Sequence, residues 1–501
     1  MKNYICLLLT LLIFISLIAA CGENENNSPT DKTEPTNSAD ATEAVEKRPP
    51  LGVPKIDYGG YKFRILTVET GVTGHDTFTG FNFYSDFIDV SDRVGEPIND
   101  SVFARNLQIK EDYNVEIVAT EIAGGTAGVY STALKFIASG DDIYDIITPT
   151  IDSSFALAQE KYLYNLYEVP FLELNNPWWD QALVKNLSLN NKLFTITGDI
   201  SMSDEELNWC IIANKFLMEE YQIPNLYNLV REGKWTIDRL HEIGVSVTRD
   251  LNGDGVIDWN DLYAFGNGSG GGQFFYFSTG ENIAVLDKEG YPQLVLGNER
   301  AIRAMDRIVE LYNDRNFMIW AEQIKTTVNG YIYLNTMFIE NRVLFNMCSM
   351  YEVKEFRNMV DDFAILPGPK YDEAQDDYYM IQSTHACMGI CIPVTNPNLE
   401  RTGIVLEAMA YHSKPIQEAY YDITLTEKFI RDKDSRDMLE IIFGRVTYDI
   451  GKAFGWGSYT SQIVLAVQRN TGFAALFEAN KEKALTEIEK SFNIFLEAGG
   501  N

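Results

Sequence analysis

Three apolar runs rich in β-branched residues, YKFRILTV at 61–68, NVEIVAT at 114–120 and YDIITPT at 144–150, alternate with helical stretches at 99–113 and 129–139. Parallel strands cannot be joined by a tight turn; they need a crossover of about a dozen residues or more, usually a helix. The alternation therefore predicts βαβ units, with a parallel sheet covered on both faces. After residue 190 the pattern changes. NNKLFTITGDISM reads as extended, LNWCIIANKFLMEEY as a strand running into a helix, and NERAIRAMDRIVELYND as a helix. NRVLFNMCSM and DFAILPGPK read as short strands, and from residue 396 onward the chain is mainly helical. No repeat of about 20–50 residues is present. A mixed α/β body of this length exceeds one domain's usual size, so two lobes joined by more than one strand are expected, an arrangement that makes a hinge.

The first residues, MKNYICLLLTLLIFISLIAAC, carry Lys2, then an apolar run, then small residues before Cys21. This is the pattern of a secretory signal. Ile18, Ala19, Ala20 and Cys21 resemble the lipobox of bacterial lipoproteins, which implies cleavage after residue 20 and acyl chains, palmitate among them, on Cys21. An uncleaved membrane helix is the alternative, because the run is near the lower limit for spanning. Residues 22–50 lack aromatics and are rich in Asn, Thr, Ser, Glu and Pro, so residues 21–55 are expected to be a disordered tether. Two acyl chains suffice for stable anchoring, which places the body at the outer face of the cytoplasmic membrane.

A formal net charge of −31 argues against nucleic acid and against lying flat on anionic lipid. Cys210, Cys348, Cys387 and Cys391 remain in the body, too few for a disulfide framework. Cys387 and Cys391, at even spacing in ACMGICIPV, share a strand face either as buried thiols or as a bridge. The four histidines show no HExxH spacing, and there is neither a G-x-S-x-G elbow nor a P-loop. GNGSGG at 266–271 fits G-x-G-x-x-G, but reads as a loop that neither follows a clear strand nor opens a helix.

DLNGDGVIDWND at 250–261 is the most chemically specific stretch. Asp250, Asn252 and Asp254 stand at positions 1, 3 and 5 of a calcium-type loop, with Gly255 at 6, the Val256 carbonyl at 7, Asp258 at 9 and Asp261 at 12. Oxygen-only ligands on a tight turn suit structural Ca²⁺; the alternative is an acidic turn following the helix predicted at 235–249. A sensor role is not expected, because sensor loops come in pairs.

The order of segments resembles the extracellular solute-binding lipoproteins of bacterial ABC importers, in their carbohydrate-type group, family 1-like. The residues that carry the resemblance are Cys21, the segments 95–117, 176–201, 214–240 leading into the Asp-rich loop, 362–379 and 435–456. It implies an α/β, two-lobed, periplasmic-binding-protein-like fold (type II), with several hinge crossings and a ligand cleft between the lobes. Lobe 1 is expected at about 56–190 plus 330–385, and lobe 2 at about 191–329 plus 386–501. The implied role is a monomeric, non-enzymatic subunit that captures a solute, an oligosaccharide, and delivers it to a membrane permease. A surface glycosidase with a calcium brace is the alternative. Sugar sites combine aromatic faces with hydroxyl-bonding polar groups. Near expected crossings such groups are Tyr84, Asp199, Trp209, Tyr351 and Trp456, each with core packing as its competing role.

Overall fold

A computed structural model describes residues 48–69, 86–89, 94–123, 125–353, 356, 359–421 and 433–497. The expected signal, Cys21, most of the expected tether and Tyr84 lie outside the described residues. In the first half, strand β1 (Tyr61–Val68) is flanked by β2 (Val115–Ile122) and β3 (Ile146–Ile147), all parallel, with Tyr61 opposite Val115 and Ile65 opposite Ile146. Helices Pro97–Tyr113 and Gly125–Ser139 supply the two crossovers. Pro97 stands where a missing N–H costs nothing, and Asn114, left-handed at φ 51°, stops the first helix. Its inward face is Ile98, Val102, Arg105, Ile109 and Tyr113, the spacing of three and four that seats a helix on a sheet.

The second half holds β4 (Trp209–Asn214), β5 (Tyr263–Asn267), a hairpin of β6 (Ala284–Leu286) and β7 (Pro292–Leu294), β8 (Met318–Trp320), β9 (Val343–Ser349) and β10 (Phe363–Leu366). Its five-stranded sheet has the order β10-β4-β9-β5-β8, with β5 parallel to β8 and β9, and β4 antiparallel to β9 and β10. Strands β11 (Met380–Ile381) and β12 (Val446–Thr447) form a separate parallel pair.

These ladders correct the expected lobe boundaries. Because β9 and β10 bond to β4, residues 330–381 belong with 209–329 and not with the first lobe. Conversely, Met388, Ile390 and Cys391 bridge to Thr150, Ile196 and Ile147, and helix Leu399–Tyr411 packs on Pro97–Tyr113, so 387–421 returns to the first half. Short apolar strands look alike in sequence; only their partners distinguish them. Among the described residues the chain passes between the halves near 201–208 and 382–387, beside the β11–β12 pair. The C-terminal helix Phe473–Glu497 lies mainly on the second half and also meets helix Ile151–Gln159. No helix of the described residues is long and apolar enough to cross a membrane.

Candidate functional site: a cleft between the two halves

A cavity of about 550 Å³ opens where the carboxyl ends of β5 and β9 face the crossing segment 381–386 and the start of helix Ile151–Gln159. Open α/β sheets place ligands at the carboxyl ends of their strands, because the loops there are free to diverge. Asn267 ends β5, while Asn346 and Met347 lie near the end of β9. Trp209 begins the antiparallel β4 directly opposite Ser349, which brings its indole to the same rim.

Backbone geometry explains how these amides are held. Asn267 Oδ1 accepts from Gly268 N at 2.7 Å, and its Nδ2 donates to Tyr312 Oη at 3.0 Å. Asn346 Nδ2 donates to Asn335 Oδ1 at 2.9 Å. A Cβ at Gly268 would sit 2.0 Å from Tyr331 Oη, and one at Gly271 2.0 Å from Asn267 Nδ2. The glycines are thus space for side chains that line the cavity. This corrects the expectation for GNGSGG: its Gly266 and Asn267 end β5, and the rest forms a 3₁₀ turn, Ser269–Gly271, that leads into the helix Gly272–Ser278, whose Gln273 and Phe274 also line the cavity. The strand context was hidden because YAFGN is short and ends in Gly and Asn, residues that read as turn.

The other wall carries charge. Asp152 accepts from His385 Nδ1 at 2.9 Å. Burial pushes the Asp152 carboxyl upward, but His385 and Thr150 outweigh it and hold the group below its ordinary value; the same contact raises His385. Lys452 Nζ donates to Thr384 Oγ1 at 3.1 Å, and burial pushes its pKa down to about 8. Glu352 Oε2 accepts from Ser349 N at 2.9 Å. With Trp209, Phe274 and Tyr331 providing ring faces, the cavity combines aromatic surfaces with amides, a carboxylate–imidazole pair and an ammonium group. Such a set bonds a hydroxyl-rich guest through many weak, directional contacts.

Behind this wall, carboxyl groups are buried where the crossings meet. Asp180 Oδ2 accepts from Tyr448 Oη at 2.6 Å, Thr197 Oγ1 donates to Asp204 Oδ2 at 3.1 Å, and Gln382 Nε2 donates to Asp204 O at 2.9 Å. Burial pushes Asp204 up to about 7 and raises its neighbour Glu205 well above the usual range.

Of the five residues expected to contact ligand, Trp209 lines the cavity. Trp456 does not: its indole is 2% exposed, stacked on Phe454 and bonded to Ser491 Oγ. Asp199 and Tyr351, half-buried, are not among the lining residues, and Asp199 offers its backbone carbonyl to Gln417. Asn267, Gln273, Asn335, Asn346, Asp152, His385 and Lys452 were missed, since a polar residue in isolation reads equally as a cap or a turn. Cys387 and Cys391 are buried free thiols.

The Asp-rich loop is an exposed surface turn built around Gly253 and Gly255, at φ 75° and 81°. Asp250 accepts from Gly253 N and Gly255 N, Asn252 from Asp254 N, and Asp254 from Val256 N; Asp258 accepts from Asn260 N. Asp261, fully buried, closes the loop by accepting from Leu251 N and Asp258 N. The residue types fit calcium. In this arrangement their oxygens hold the loop's own N–H groups, and among the described residues no three acidic, His or Cys side chains gather as metal ligands.

The two halves, the crossings and the cleft at the strand ends define a two-lobed periplasmic-binding-protein fold. Solved structures with this fold include the maltose/maltodextrin-binding domain from Bdellovibrio bacteriovorus bound to maltotriose, at 14% identity and a TM-score of 0.52, covering 85% of this chain and 100% of that one. Another is an ABC substrate-binding protein from Listeria monocytogenes in complex with cycloalternan, at 8% identity and a TM-score of 0.52, covering 86% and 98%. A family 1 extracellular solute-binding protein from Bifidobacterium longum subsp. infantis is similar at 11% identity and a TM-score of 0.53, covering 85% and 100%. No protein-family model matches the chain, and no curated protein matches it.

Proposed function

We propose that this chain is the solute-capturing subunit of an ABC import system, that its guest is an oligosaccharide, and that it performs no covalent chemistry. The observation that carries the reading is the cleft: a cavity of about 550 Å³ between two halves, lined by ring faces and by amides held in place by their own hydrogen bonds. The structures of the same fold described above, two of them with bound oligosaccharides, support it. Closure of the halves about the crossings would retain the guest, with affinity set by the attraction that the closed form adds, less the cost of closing. Cys21 would hold the body beside its permease through acyl chains, and the 250–261 loop would take calcium as a surface brace once Asp250 and Asp254 turn free lone pairs toward the ion.

The test is calorimetric titration of the protein against a panel of neutral and charged glycans, with product analysis of each mixture. Saturable binding with the glycan recovered intact supports the reading. Cleavage of the glycan, or no binding across the panel, overturns it.

A further inference from the structure

Cys210 and Cys348 face each other across the β4–β9 ladder, in the middle of the five-stranded sheet, with their sulfur atoms 3.8 Å apart. They lie 138 residues apart in the chain, and both are fully buried. Met350 N donates to Asn208 O at the end of the same ladder. Counting two residues inward makes Cys210 and Cys348 a hydrogen-bonded pair, whose Cα atoms stand roughly 5.5 Å apart in antiparallel sheets, inside the range that disulfides span. Forming a bond asks each sulfur to move by roughly 1 Å; because hydrogen-bonded pairs hold their Cβ atoms farther apart than a relaxed disulfide does, closure also draws the two strands together locally while keeping their register. The other two body cysteines have different neighbours: Cys387 Sγ lies 3.6 Å from Ser203 Oγ, and Cys391 Sγ donates to Ser154 Oγ at 3.1 Å.

We propose that Cys210 and Cys348 form a cross-strand disulfide when the chain folds in an oxidising compartment. The pairing itself follows from the ladder, while its occurrence in the living cell rests on the export that belongs to the proposed function. A small-molecule disulfide such as oxidised glutathione is the oxidant. One cysteine thiolate attacks it, forming a mixed disulfide and releasing one glutathione thiolate. The second cysteine thiolate then attacks the protein sulfur, closing the bridge and releasing the other glutathione thiolate. Two protons pass from the cysteines to the two released thiolates, so two protein thiols are oxidised and one external disulfide is reduced. Burial raises the Cys348 thiol well above its ordinary range and excludes reagents, so the bridge forms before the sheet closes and is protected afterwards. Trp209, Asn346 and Met347 line the cleft, whereas neither cysteine does, so the bridge staples the two strands beside the guest's space without lining it.

The experiment unfolds the full chain, refolds it in a redox buffer of reduced and oxidised glutathione, blocks free thiols under denaturing conditions and maps tryptic peptides by mass spectrometry. The expected result is peptide 193–215 joined to peptide 343–354, lighter by two hydrogens than their sum, and separated by dithiothreitol. Peptide 371–401, which holds Cys387 and Cys391, should appear fully blocked. In the bridged form the melting temperature should stand several degrees above that of the reduced form, and Cys348→Ser should erase that difference. Blocked thiols at both Cys210 and Cys348 after oxidative refolding, or either one linked elsewhere, overturn the proposal. No glycan is involved, so this outcome is independent of whether the cleft binds sugar.

Discussion

Trp209 and Trp456 show how one residue type divides between site and core. The Trp209 indole stands at the cavity rim, so Trp209→Ala should weaken glycan binding at least tenfold by calorimetry while moving the denaturation midpoint little. Trp456, packed against Phe454 and bonded to Ser491, is a core residue, and Trp456→Ala should cost about 3–5 kcal/mol in denaturant melts. If the two variants exchanged these effects, the placement of the cleft would be wrong. The sequence made Trp209 legible because it opens an apolar run, where a large ring must either pack or bind. It could not show that Trp456 packs, because the ring it stacks on and the hydroxyl it bonds become neighbours only through tertiary folding. The amides were hidden for a different reason. Asn267 and Asn346 are buried near strand ends, positions where a sequence shows only a polar residue close to a turn.

At the scale of elements, the alternation of strands and helices between 61 and 150 was legible because local periodicity dictates it. The allocation of β9 and β10 was not, because strand pairing is a long-range choice. The glycine-rich segment lies between these cases: its glycines were plain, but their purpose depends on Tyr331 and Tyr312 arriving from elsewhere. Gly271→Ala should therefore lower glycan affinity several-fold through displacement of Asn267, whereas Gly270→Ala, with no atom within 4 Å of the added Cβ, should leave binding nearly unchanged. The 250–261 loop makes a separate prediction. Asp250→Ala combined with Asp254→Ala should lower the melting temperature by a few degrees in millimolar calcium, and the difference should shrink in chelator. Equal melting of parent and variant in both conditions would leave the loop as an acidic turn.

For the whole molecule, the buried carboxyl groups at the crossings tie stability to pH. Burial pushes Asp204 to about 7, against about 3.9 for an unfolded aspartate, so between these values the folded chain holds a proton that the unfolded chain has released. A group raised in this way contributes stability that is fully present below about pH 4 and is lost as pH rises through about 7. Glu205 and Asp180, raised by burial, and Asp449, pushed up to about 6 by burial, act with the same sign; Asp152, held low against burial by His385 and Thr150, opposes them only in acid. The parent should therefore lose on the order of a few kcal/mol of stability between pH 5 and pH 8, measured by denaturant melts at each pH. Asp204→Asn keeps an acceptor for Thr197 but cannot ionise, so its stability should fall less steeply over the same interval. A parallel pair of profiles would mean that Asp204 is not the titrating group. Because these carboxyls lie where the chain crosses between halves, the same ionisation opposes the packing on which closure depends. Glycan affinity should then decline alongside stability in the parent as pH rises from 6 to 8, and decline less in Asp204→Asn.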